Sequence, residues 1–233
     1  MSDARYRFAV AQRVKAPLLA CLGCAVALVG LVILAYGFGP FERLDAQMIV
    51  HFSARLDSHS YRLAEGMAQL ADPLPLLAML AAVCAFALAL GRRHEAVAAV
   101  AVVAGANLTT QLLKAVLAHP RYQPYPGYGE PWEDAFPSGH ATAAASIAVA
   151  LMLAAPRRVR PLAIATGVAY AGAVGLAVVA LEWHYPSDVA GGFLVAAGWG
   201  FAAVAGLRLV RPRGPSPSSA QASRSSRFAI STK

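Results

Sequence analysis

The stretch Phe136-Pro137-Ser138-Gly139-His140-Ala141 opens an apolar run that continues to about Ala155, and its reading decides what kind of chain this is. Pro137 and Gly139 favour a tight turn and Ser138 is a preferred helix N-cap. The first N–H groups of the helix behind it are left to meet an anion. A histidine placed there is a candidate proton donor. It is also what an ordinary helix cap carrying a histidine would look like, so the rest of the chain has to separate the two readings.

Working outward, the apolar run is one of several. With 58% hydrophobic and 14% charged residues over 233 positions, the chain is too apolar for an ordinary soluble domain and reads as a membrane protein of several spans. Spans are expected at about 16–38, 74–90, 96–117, 139–155, 162–181 and 188–209, an all-α bundle of six transmembrane helices. Residues 1–15 form a basic N-terminus, 16–210 the membrane domain, and 211–233 a Pro-, Ser- and Arg-rich tail expected to be disordered. Residues 39–71 alternate Phe41, Leu44, Met48, Ile49, Phe52 and Leu56 with charged residues, the pattern of an amphipathic helix at the membrane surface. The loop 118–135 carries prolines and the aromatics Tyr122, Tyr125, Tyr128 and Trp132, which suit headgroup depth. Cys21, Cys24 and Cys84 fall inside apolar segments and read as packing, the Cys21–Cys24 spacing notwithstanding.

Charge placement gives an orientation. Of the 20 lysines and arginines, Arg43, Arg55, Arg62, Lys114 and Arg121 lie on one side if both termini lie on the other. The richer side is then cytoplasmic, and the net charge of +8 calls for no nucleic-acid partner. The expected place is the inner (cell) membrane, with the chemistry-bearing residues facing the periplasm or exterior.

Three clusters meet at that outer level. Lys114 and Arg121 precede the Ser138-Gly139-His140 stretch, and His184 follows it with Asp188 four residues on. A phosphoryl group is an oxyanion cluster whose transfer needs neutralising charge, an in-line nucleophile and a proton for the leaving oxygen. Lys114 and Arg121 supply charge, while Ser138 and the Gly139 N–H add neutral donors. His184, held by Asp188, is the expected nucleophile, and His140 the general acid and then base. Zinc on His140, His184 and Asp188 is the competing arrangement, opposed by the cations at Lys114 and Arg121. No metal and no cofactor is therefore expected. Asn107 and Gln111 share the Lys114 face of their helix and are expected to hydrogen-bond between helices.

Lys114, six residues, Arg121, then Pro-Ser-Gly-His and His184-Tyr-Pro-Ser-Asp188 together resemble the motifs of the type-2 phosphatidic acid phosphatase superfamily, which includes lipid phosphatases and soluble haloperoxidases. The resemblance covers residues 114–188 in motif and about 40–205 in topology. It implies a six-helix membrane phosphatase with an outward site and a phosphohistidine on His184. It also implies His140 and Asp188 as catalytic partners, with Lys114, Arg121, Ser138 and Gly139 around phosphate. Two departures stand out. Tyr122 follows Arg121 where the family usually has proline, and Ala177-Val178 stand where the third motif usually begins Ser-Arg. Glu182, two residues before His184, is a carboxylate near a phosphate site. Beside a lipid phosphate or diphosphate phosphatase, the open alternatives are a lipid phosphotransferase and a weakened, lipid-binding relative lacking the arginine at Val178. The oligomeric state is not legible.

Overall fold

The computed structural model describes residues 3–53, 57–117 and 136–210, and among these residues the chain is helical throughout. The helices are α1 (Asp3–Gly37), α2 (Gly39–Ser53), α3 (Ser58–Gln69), α4 (Pro73–Ala89), α5 (Arg93–Leu117), α6 (Gly139–Ala154), α7 (Arg160–Ala180) and α8 (Pro186–Val210). The six apolar segments expected from hydropathy are α1 and α4 to α8, each within a few residues of its expected ends apart from the start of α1. Four of them, α5, α7, α8 and the Ala11–Gly37 part of α1, are long and apolar enough to cross a bilayer by themselves. Helix α4 is joined to α3 at a bend of 55°, and α6 is a shorter apolar helix.

At 16 residues α6 is about 24 Å long, less than a hydrocarbon core of about 30 Å. Its place in the bundle makes that length workable. It packs on α4, α5, α7 and α8, and ten of its residues are buried, so protein rather than lipid surrounds it. Small side chains allow this close approach. A Cβ added at Gly167 of α7 would lie 2.9 Å from the Ala148 Cβ and 3.1 Å from its Cα, so the two backbones touch where glycine leaves room. Helix α1 lies along α8 and turns Leu22, Val26 and Ile33 outward, as a lipid-facing helix does.

Helix α1 runs unbroken from Asp3, so the described part of the basic N-terminus is helical. One expectation changes in detail. The amphipathic segment is two helices, since Asp57 starts a new one: its Oδ1 accepts a 2.7 Å bond from the Ser60 N–H, which also holds the carboxyl below its usual range. The apolar residues of α2 and α3, Ile49, Phe52, Ala64 and Met67, pack against Val178, Val179 and Leu181 of the bundle. The three cysteines are free thiols, in keeping with packing positions. The loop 118–135 and the tail 211–233 lie outside the described residues.

Gly167→Val is expected to lower the stability of the detergent-solubilised protein by about 1–3 kcal/mol through overpacking against Ala148. Thermal unfolding of the purified variant checks this.

Candidate active site

The site is assembled where α6 and α8 begin. Ser138 caps α6 by accepting the Ala141 N–H at 3.3 Å, and its own N–H donates to the Asp188 carbonyl at 2.9 Å. Thr142, one turn on, donates to the Ser138 carbonyl at 2.8 Å and shares a 2.9 Å hydroxyl contact with Thr110 of α5. These groups are buried, and α8 closes over them because it presents glycine. A Cβ at Gly192 would stand 2.8 Å from the Ser138 oxygen and 3.0 Å from the Thr142 nitrogen. The Gly191-Gly192 pair, which read as close packing in the sequence, therefore seats the start of α6 against α8.

His184 is placed by the way α7 ends. The Glu182 N–H donates to Val179, and the Trp183 and His184 N–H groups both donate to the Val178 carbonyl, at 3.0, 3.0 and 3.2 Å. Glu182 sits at φ 64°, the left-handed conformation that closes a helix in this bonding pattern and that glycine usually fills. Glu182 thus has a backbone role at the C-terminus of α7. Val178 is wholly buried in an apolar cluster with Ala68, Ala141 and Val189, with Trp183 packed against it. The space a family arginine would occupy is apolar here.

Two carboxylates organise the first turn of α8. Asp188 is fully buried, accepts the Tyr185 N–H at 2.9 Å, and places Oδ2 3.5 Å from Nδ1 of His184. That distance is within ion-pair reach but long for a hydrogen bond, and Nδ1 has no hydrogen-bond partner among the described residues. Asp45 of α2, 4% exposed, accepts both the Ser187 N–H at 3.1 Å and the Ser187 hydroxyl at 2.6 Å. A helix N-terminus favours both negative charges. In the sequence Asp45 reads as one more charge on the polar side of an amphipathic helix, and no sequence signal joins it to Ser187.

A cavity of about 810 Å³ opens beside these elements. Lys114, Gly139, His140 and His184 line it together. The two imidazole rings are 6.3 Å apart, and Trp183 lies 5.4 Å from the His140 ring. Ser138 stands one residue behind the cavity wall, its side chain engaged as the cap. Arg121 lies outside the described residues. Asp72, at the α3–α4 bend, also lines the cavity and holds Oδ1 3.3 Å from Nε2 of His140. Its sequence context, directly before Pro73, reads as a helix cap, which hides the second role. Among the described residues no three His, Cys, Asp or Glu side chains are grouped to hold a metal ion.

Two histidines and a lysine thus face one cavity at a helix N-terminus, and one of the histidines is backed by a buried carboxylate. The family model of the PAP2 superfamily matches residues 95–211, half of the chain, and the protein belongs to that superfamily. Comparison with curated proteins finds no match. The fold is similar to the crystal structure described as the first transmembrane PAP2-type phosphatidylglycerolphosphate phosphatase from Bacillus subtilis. The TM-score is 0.71 at 18% identity, over 83% of this chain and 98% of that one. The all-helical membrane architecture expected from hydropathy is thus the fold of the described residues, with which the expected six spans are roughly consistent, and the chain's general activity is that of a phosphatase.

Asp45→Ala removes two hydrogen bonds to Ser187 in a buried place, at a cost of about 1–3 kcal/mol. The expected outcome is a lower unfolding temperature together with a fall in kcat, as the α8 start that carries Asp188 loosens. Unchanged kcat in a measurably destabilised variant would separate the two effects and limit Asp45 to stability.

Proposed function

We propose that the protein removes phosphate from a lipid phosphate or diphosphate through a phosphohistidine on His184, without metal. The observation that carries this reading is the common cavity of Lys114, His140 and His184, with Asp188 buried behind His184. With Nδ1 turned to Asp188, Nε2 is the nitrogen that attacks phosphorus. The P–O bond to the lipid breaks as the P–N bond forms, and His140 gives its proton to the departing oxygen. Asp188 stabilises the charge that the His184 ring gains in this step. Water then attacks the phosphohistidine, losing a proton to His140, and the P–N bond breaks to release inorganic phosphate and free His184. Lys114, Arg121 and Gly139 hold the phosphoryl oxygens, the Gly139 end through the N-terminus of α6, which Ser138 caps.

The bilayer location supports a lipid as the substrate. The distribution of lysine and arginine supports an inner-membrane protein with cytoplasmic termini and the site on the outer side. The structural neighbour acts on phosphatidylglycerolphosphate by its description, which places that lipid among the first to try.

The test is inorganic phosphate release by the purified protein in detergent, offered phosphatidic acid, phosphatidylglycerolphosphate, a polyprenyl diphosphate and a sphingoid phosphate. Turnover of at least one lipid is expected. It should be unchanged by EDTA, blocked by vanadate, and lowered on the order of a thousandfold by His184→Ala in a folded protein. Loss in EDTA with recovery in zinc would contradict the metal-free mechanism.

A further inference from the structure

The cavity is larger than a phosphate group needs, and it extends along α5 below Lys114. Gln111 and Asn107 line it one and two turns further down the same helix face, about 4.5 and 10 Å below Lys114 at 1.5 Å per residue. The two amides are not equivalent. Nδ2 of Asn107 is engaged with the Val103 carbonyl at 2.8 Å and reaches Ser146 of α6 at 3.4 Å, the interhelical role expected for both. Gln111, exposed at the cavity wall, makes no hydrogen bond among the described residues, although polar side chains are uncommon in a membrane span unless they face a partner or a cavity. Leu76, Leu77 and Ala143 give the same cavity apolar lining. A polar side chain that is neither paired nor at a helix end, set one turn below a phosphate site, has a use if the ligand brings its partner.

Resting on the lipid phosphatase reading above, we propose that Gln111 is a second subsite, which hydrogen-bonds an ester carbonyl of a glycerolipid phosphate. In such a lipid the nearest ester sits on the carbon next to the phosphate-bearing one, so it falls about one helical turn from the phosphate. The Gln111 amide N–H donates to that carbonyl, and the apolar wall of Leu76 and Leu77 takes the start of the acyl chains. A polyprenyl phosphate has hydrocarbon at the same distance and leaves the amide unmet. Gln111 is thus a specificity-determining residue, favouring glycerolipid phosphates over polyprenyl ones.

The experiment compares diacyl phosphatidic acid with its dialkyl ether counterpart, which keeps the phosphate and chains but lacks the carbonyls. Phosphate release is measured for the full chain and for Gln111→Met, which keeps the length and removes the amide. The unaltered protein is expected to favour the ester by about tenfold in kcat/KM, the worth of one hydrogen bond to a neutral group, with most of the difference in KM. Gln111→Met is expected to turn over both lipids alike, near the rate of the ether. The subsite is overturned if the unaltered protein treats ester and ether equally, or if Gln111→Met keeps the ester preference. The ester-to-ether ratio of the unaltered protein decides the matter even if the variant does not fold. An unaltered protein silent toward every lipid would instead overturn the phosphatase reading, and the subsite with it.

Discussion

The buried carboxylate of Asp188 is the constraint on which the site depends. A charge with no exposure to solvent has to be met by donors, and this one is met by the Tyr185 N–H and by its place in the first turn of α8, with the His184 ring alongside. The same residue's carbonyl receives the Ser138 N–H, so one position ties the third motif to the cap of α6. Gly192 permits that junction, and the Thr142–Thr110 hydroxyl pair carries it across to α5, where Lys114 waits three turns nearer the helix end than Val103. The cavity-facing groups of α5, α6 and the α7–α8 turn are thereby held by backbone and hydroxyl contacts within an apolar bundle.

Around that junction the membrane helices do two kinds of work. Helix α6 is short, alanine-rich and enclosed, which places its N-terminus at a depth fixed by its neighbours. Helix α2 packs on α7 and α8 and helix α3 on α7, and a carboxylate near the site comes from each. Asp45 holds Ser187 beside Asp188, and Asp72, just past α3, faces His140. His140 is therefore bordered by Asp72, Trp183 and His184, a set drawn from two separate parts of the chain.

Much of the fold was legible because hydrophobic length is a local signal. Six apolar runs, their polar breaks and the Ser138 cap are each written within one short window, and the structure places α4 to α8 within a few residues of the expected ends. His140, His184 and Lys114 were legible as a set because three motifs lie in a fixed order. Asp45 and Asp72 were not, since each reads locally as something ordinary, a polar-face charge and a residue before proline. Their partners are distant in sequence: Asp45 and Ser187 are 142 residues apart. The division of Asn107 from Gln111 was equally hidden, because identical helix-face positions differ by which neighbour α6 presents to them. Val178 shows the reverse limit. The sequence marks it as a missing arginine, whereas the packing shows an apolar cluster already filled.

The most direct measurement of the central claim uses His140→Ala with an aryl phosphate whose leaving group needs no proton. Without His140 to activate water, the second step slows more than the first, so the phosphoryl group should remain on the protein. The account predicts a burst of about one phenol per active protein and a phosphoryl group located on His184 by mass spectrometry, both absent in the His140→Ala, His184→Ala double variant. A phosphoryl group found on any other residue, or steady turnover with no burst and no labelled protein, would contradict it.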